Sequence, residues 1–297
     1  MADGLSRAVR ERLERANWHD RTGKMSCFGQ SWTVRTDDIA LAELLSELYA
    51  PVLHRDQSDA PTAAFSVLMP TDAEPGLVIR DGSSIAYEGA SPGAVLSGLV
   101  WSINRLVIEE LSGHLLLHAT AAARDGEVLL LVGRPNSGKT TLLTGLLERG
   151  WDYVTDEVVS VDTDLWATGF PKPLTIDRGA WSLLGHLDPR SGGTADRFHS
   201  QQWHLGVQRL ARVAPVGQIA RIAFPRYQGE SDTEVEEVSA GAAVAQLVPN
   251  VLAPEDAPLQ LETVRHLTDV AAAVPASHMT YCKRSEGVDC LRRLTAQ

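Results

Sequence analysis

The sequence predicts an α/β fold, a mixed sheet flanked by helices from about residue 91 onward, with a smaller N-terminal α+β region over residues 1–90. Three observations predict it. The apolar run Val128–Val132 has the length of a buried strand and is followed by a glycine-bearing turn, then by Leu142, Leu143, Leu146 and Leu147 at helical spacing. From Leu115 onward, further short strands interleave with helical stretches, as in layered α/β domains. The first 90 residues mix short strand candidates with short helices.

Along the N-terminal region, residues 5–16 read as a charge-laced helix and residues 25–36 as strand material around Phe28, Trp32 and Val34. Asp37 and Asp38 can cap a helix carrying Ile39, Leu41, Leu44, Leu45 and Leu48, which Pro51 stops. A polar stretch over 55–62 precedes strands at 64–69, 77–80 and 84–87, the last two joined by the Asp81-Gly82 turn. Ser91-Pro92 opens a long helix over about 93–112, ended by Gly113.

Leu115–Ala123 and Glu127–Val132 then read as two strands joined by Arg124-Asp125-Gly126. A helix over 140–149 closes at Gly150. Strands follow at 152–155 and 158–161, interrupted by Asp156-Glu157, with 165–170 extending the sheet. Residues 177–184 form a short helix. Residues 185–202 lack apolar periodicity and contain Pro189, Gly192 and Gly193, which predicts a mobile loop of the kind used as a lid. The remainder supplies strands at 219–224 and 277–282 and helices near 239–248, 259–273 and 285–294.

The turn is Gly133-Arg134-Pro135-Asn136-Ser137-Gly138-Lys139-Thr140, which satisfies G-x-x-x-x-G-K-[ST] in the strand-to-helix setting that pattern requires. Such a P-loop surrounds a polyphosphate with backbone N–H groups and a helix N-terminus. Gly133 and Gly138 permit close backbone approach, and Asn136, Ser137 and Thr141 belong to the cradle. Lys139 places a charge near the β- and γ-phosphates, and the Thr140 hydroxyl can ligate Mg2+. ATP and Mg2+ are the expected cofactors.

Two further elements can converge on the loop. Asp156, on the strand after the P-loop helix, can ligate magnesium or accept a proton from an attacking hydroxyl, and Glu157 is beside it. An acidic pair alone reads equally as a turn. His118 interrupts an otherwise apolar strand and is either a core histidine or part of the site. Lys172, Arg178 and Arg226 are candidates for phosphate or substrate contacts, because a phosphoryl transition state needs positive charge at its oxygens. His186, His199 and His204 match no compact metal-ligand spacing.

Leu117-His118-Ala119-Thr120-Ala121, the P-loop, and Gly150 to Val158 occur in an order that resembles the catalytic domain of the HPr serine kinase/phosphorylase family. The resemblance covers residues 113–162. Phe170 to Leu174 and Ile222 to Tyr227 look like segments of divergent HPr-kinase-like proteins associated with modification of ribosomally made peptides, lasso-peptide precursors included. The resemblance implies an HPr-kinase-like P-loop kinase core over 91–297, with Asp156 as catalytic base, His118 positioning it, and Glu157 as a magnesium ligand. It implies a kinase acting on a serine or threonine hydroxyl of a peptide or small protein, and a homo-oligomer. The family's Glu-Arg-Gly signature downstream of the acidic pair is absent, with Gly169 to Leu174 standing in that region, so HPr itself is not implied as acceptor. A free hydroxyl-bearing metabolite is the alternative acceptor, and an ATPase or nucleotide switch the alternative function.

Composition agrees with a globular protein: of 297 residues, 44% are hydrophobic and 22% charged. A net charge of −11 disfavours nucleic-acid and anionic-membrane partners. Three cysteines, Cys27, Cys282 and Cys290, without C-x-x-C spacing, fit a reducing compartment. With no apolar signal-like core in residues 1–17 and no apolar run of about 18 residues, a cytoplasmic location is expected.

Overall fold

The computed structural model describes residues 5–19, 22–54, 59–109, 115–192, 194–252 and 259–295. Gly113 and Gly193, both given roles above, lie outside them. Two compact units are present: Met1–Glu110 with Pro173–Gly206, and Leu111–Lys172 with Val207–Gln297. The long helix before residue 110 and residues 173–206 thus group with the N-terminal strands, whereas a division at 90/91 assigns both to the P-loop part.

The first unit begins with α1 (Arg7–Arg15), capped by the Ser6 hydroxyl, then β1 (Lys24–Cys27) and β2 (Gln30–Thr36). The expected strand over 25–36 is therefore a hairpin. It turns at Phe28 and Gly29, both at positive φ. Next come α2 (Ile39–Leu48), N-capped by the Asp38 carboxylate as its sequence predicts, and β3 (Leu53–His54), β4 (Ala63–Leu68), β5 (Gly76–Arg80) and β6 (Ser84–Gly89). They form a six-stranded sheet in the order β3-β1-β2-β4-β5-β6, on which α3 (Pro92–Glu109) packs. Leu41, Leu45, Trp32, Phe65 and Val67 are buried in it.

In the second unit, β7 (Leu115–Arg124) and β8 (Glu127–Val132) form an antiparallel pair; α4 (Lys139–Leu147), β9 (Asp152–Val161) and β10 (Trp166–Gly169) follow. One expectation fails here. Asp156 and Glu157 do not interrupt a strand: β9 runs through them, because β7 supplies hydrogen-bonding partners along its length. The chain then contributes β11 (Leu174–Asp177) and β12 (Gln202–Leu205) to the first unit as an antiparallel pair. Between these strands, residues 177–184 hold a single 3-10 turn at Arg178–Ala180, not a helix. Residues 185–202 are not a featureless loop either. Gly185–Leu187, Pro189–Gly192 and Thr194–His199 form 3-10 turns, and Phe198 and His199 are buried, which fixes a segment whose lack of helical or strand period hid its packing.

Returning to the second unit, β13 (Val216–Tyr227), β14 (Glu234–Glu237), α5 (Ala240–Leu247), α6 (Leu261–Ala273), β15 (Ala276–Tyr281) and α7 (Arg284–Leu294) complete the fold. The sheet order is β10-β9-β7-β8-β13-β15-β14, and β10 also pairs with β13, so the sheet curls. Parallel β8, β13 and β15 end on one edge. Alternate residues of β7, from Leu115 to Ala123, face a buried cluster with Ala243 and Leu247 of α5 and Leu267 and Val270 of α6. The intervening residues face α4, which packs against α7 through Gly145 and Gly287, where a side chain would collide with Val288 and Leu142. This is the mixed sheet flanked by helices that the sequence predicts, with α5 and α6 on one face and α4 and α7 on the other. Among the described residues no helix is long and apolar enough to cross a membrane.

Candidate active site

The P-loop begins where β8 ends. Ser137 N–H donates to the Arg134 carbonyl (3.2 Å), and Asn136 and Gly138 both take positive φ, at 65° and 91°. Gly138 is required twice over. A Cβ there would lie 1.8 Å from the Tyr281 hydroxyl, and the left-handed backbone disfavours any other residue. At Gly133 a Cβ would approach Ser137 Oγ to 3.2 Å. Ser137 Oγ is itself buried without a hydrogen-bond partner, so the turn holds an unsatisfied hydroxyl of the kind a phosphate oxygen pairs with. Lys139 folds back so that Nζ donates to the carbonyls of Gly133 (2.6 Å) and Arg134 (3.1 Å). Thr141, the last residue assigned to the cradle, accepts through its carbonyl from Arg284 Nε (3.1 Å), and Arg284 also reaches Thr144 and Glu148, tying α7 along the length of α4.

Register brings the acidic pair to this loop. Thr120 pairs with Leu131 on β8 and with Asp156 on β9, so the middle strand carries the carboxylate to the level where β8 becomes the P-loop. Paired residues leave the same face of a sheet. The Thr120 hydroxyl donates to Asp156 Oδ1 (2.7 Å), and Thr140 Oγ1 is 3.2 Å and 3.0 Å from Oδ1 and Oδ2. Burial raises the Asp156 carboxyl above its usual range, although the Lys172 charge and the Thr120 and Thr140 hydrogen bonds pull the other way. Burial likewise lowers Lys139, against the attraction of Asp156 and Glu157.

Glu157 has a different environment. Its Oε1 meets His118 Nδ1 (3.2 Å) and its Oε2 meets Lys172 Nζ (3.3 Å), and the Lys172 side chain is only 3% exposed. Burial alone would raise Glu157, but Lys172 and His118 outweigh it and hold the carboxyl down to about 2. Beneath them, Tyr153 donates its hydroxyl to the Lys172 carbonyl (3.0 Å) and Thr155 to the Phe170 carbonyl (2.6 Å), fixing the chain that delivers Lys172.

Thus Lys139, Thr140, Asp156, Glu157, His118 and Lys172 lie together, with His118 on Glu157 and not on Asp156. Arg226 is the penultimate residue of β13, at the edge of the sheet that carries the P-loop, and is exposed. Arg178 belongs to the first unit, where it donates to the Ser200 carbonyl and lies over Trp181. Sequence reasoning missed Thr120 and Tyr281. Thr120 stands two residues from His118 on the same strand, a spacing that puts polar side chains on one face and could have marked it.

Hard oxygen donors suit magnesium, which takes one or two carboxylates together with substrate phosphates and water. Thr140 and Asp156 offer that set. Among the described residues no cluster of three or more His, Cys, Asp and Glu could hold a metal alone.

A buried strand, a left-handed glycine at the head of α4 and a Thr–Asp pair beside it define a P-loop nucleotide-binding fold of the α/β class. No family model matches the chain. Over 73 residues, 24% of its length, it is 40% identical to the tRNA modification GTPase MnmE of Mesorhizobium japonicum, and it spans 16% of that relative's length. Among solved structures it is similar to the Hpr(Ser) kinase/phosphatase from Coxiella burnetii, at 10% identity and a TM-score of 0.29, over 60% of this chain and 91% of that one.

Proposed function

We propose that the protein is an ATP- and magnesium-dependent phosphotransferase acting on a serine or threonine hydroxyl of a peptide or small protein, with a ribosomally made precursor peptide as the substrate class. The observation that carries this reading is the splitting of two adjacent carboxyls. Glu157 is held ionised by Lys172 and His118, while burial raises Asp156. Neighbouring carboxyls pushed apart in this way take separate roles in acid–base chemistry.

Asp156 is the proton acceptor. Its Oδ1 is engaged by Thr120, which leaves Oδ2, beside Thr140, to take the proton of the acceptor hydroxyl as that oxygen bonds to the γ-phosphorus and the bond from phosphorus to the β,γ-bridging oxygen breaks, releasing ADP. Lys139 leaves the Gly133 and Arg134 carbonyls to meet the phosphates, and the N–H groups of the loop orient them. Glu157 holds Lys172 in place, and the Lys172 charge restrains how far burial raises the base. Thr140, together with phosphate oxygens and water, would hold magnesium, which when bound neutralises charge on the phosphates.

Incubation with MgATP and Ser/Thr-containing precursor peptides, read by mass spectrometry, tests the proposal: a phosphopeptide absent with Asp156→Asn supports it. The similarity to a GTPase over 73 residues favours a second reading, nucleotide hydrolysis without an acceptor. Phosphate release that no peptide or hydroxyl metabolite accelerates or captures would select that reading.

A further inference from the structure

Tyr227 and Tyr281 stand opposite one another at the ends of the parallel strands β13 and β15. Partners in register share a face of the sheet. Their rings meet edge to face, with centroids 5.8 Å apart and planes at 65°. Tyr281 is 2% exposed, and its hydroxyl lies 3.4 Å and 3.5 Å from the carbonyls of Gly138 and Ser137, so the P-loop fixes this ring. Tyr281 in turn orients Tyr227, a residue that is itself 57% exposed. A lone exposed tyrosine needs no explanation. This one is held in place by a ring that touches the phosphate cradle.

Its side of the sheet is also informative. β9, which carries Asp156, lies beyond β7 on one flank of β8; β13 and β15 lie on the other. With the reacting phosphate drawn towards Asp156 and Thr140, the remainder of a nucleoside triphosphate leads away from β9, along the carboxyl edge towards β13 and β15. The geometry points to Tyr227 as the platform on which the nucleobase stacks. This inference rests on the nucleotide-site reading above and adds to it a residue that recognises the base. Stacking on a phenol ring is tolerant of base identity, because every base has a π-face. Adenine and guanine should therefore depend on Tyr227 alike.

Isothermal titration of the full chain with MgATP, MgGTP and inorganic tripolyphosphate tests it, using wild type, Tyr227→Ala and Tyr227→Phe. We expect Tyr227→Ala to raise the Kd of both nucleotides about tenfold and Tyr227→Phe to stay within about twofold of wild type, the scale of one base–aromatic stack. Tripolyphosphate, which has no base, should bind all three proteins equally. Wild-type nucleotide affinity in Tyr227→Ala overturns the inference, and so does an equal loss of tripolyphosphate, which would mean that the substitution acts through the loop. A variant that binds nucleotide normally but needs more peptide acceptor overturns it too, assigning Tyr227 to the acceptor. Failure of the wild-type protein to bind any of the three ligands would remove the nucleotide-site reading itself, a result distinct from a failure at Tyr227.

Discussion

Thr120 donates its hydroxyl to Asp156 across the β7–β9 pair, 2.7 Å from Oδ1, with both residues almost fully buried. A hydrogen bond to the ionised form favours that form. Thr120→Val keeps the shape and removes the donor, so the Asp156 carboxyl should rise further. Activity needs the deprotonated form, and the acid limb of the kcat/KM profile should therefore move to higher pH. Loss of a hydrogen bond to a charged group should also cost about 1.5–3 kcal/mol of stability, measured by urea denaturation. An unmoved acid limb would dissociate Thr120 from the base.

Lys172 is the buried counter-charge of Glu157, and its removal leaves a carboxylate short of a partner. Lys172→Met should destabilise the protein by about 2–3 kcal/mol, less than for a wholly buried pair because Glu157 keeps some water. Adding Glu157→Gln should recover much of that loss, a coupling readable in a double-mutant cycle.

Because Glu157 lies near 2 against an ordinary 4.5, its contribution to stability is complete above pH 4.5 and drains as pH falls towards 2. Acid unfolding of the wild type should steepen across that window. Lys172→Met should weaken this dependence, since His118 alone is left to hold the carboxyl down.

Gly138→Ala meets two obstacles, a φ of 91° and a Cβ position 1.8 Å from the Tyr281 hydroxyl. The strained backbone alone should cost about 1–3 kcal/mol, and nucleotide binding should be lost. Pairing it with Tyr281→Phe removes only the hydroxyl, so thermal stability should recover in part while binding does not. Full recovery of binding would show that φ at 138 is not essential to the cradle.

The strand, the P-loop and α4 were legible because each obeys a local rule: a buried apolar run, fixed glycines and leucines at helical spacing. Asp156 was legible by its position after α4, but the strand through it was not. Two consecutive acids have poor strand propensity, and what keeps them in β9 is non-local, the β7 ladder with Thr120 and the cation on Lys172. His118 was legible as an interruption of an apolar strand and Glu157 as one of an acidic pair, but their contact was not, since it depends on β7–β9 register. The packing of residues 185–202 was hidden for a related reason. Successive 3-10 turns carry neither of the two periods a sequence displays, and their burial of Phe198 and His199 is a tertiary fact.

In the proposed reaction Asp156 takes the acceptor proton while the P-loop holds the triphosphate. Single-turnover phosphoryl transfer to the cognate peptide, measured beside MgATP affinity in Asp156→Asn, tests it most directly. ATP should still bind while transfer falls by at least about a hundredfold, the lower range for loss of a general base. Transfer at the wild-type rate in Asp156→Asn would contradict it.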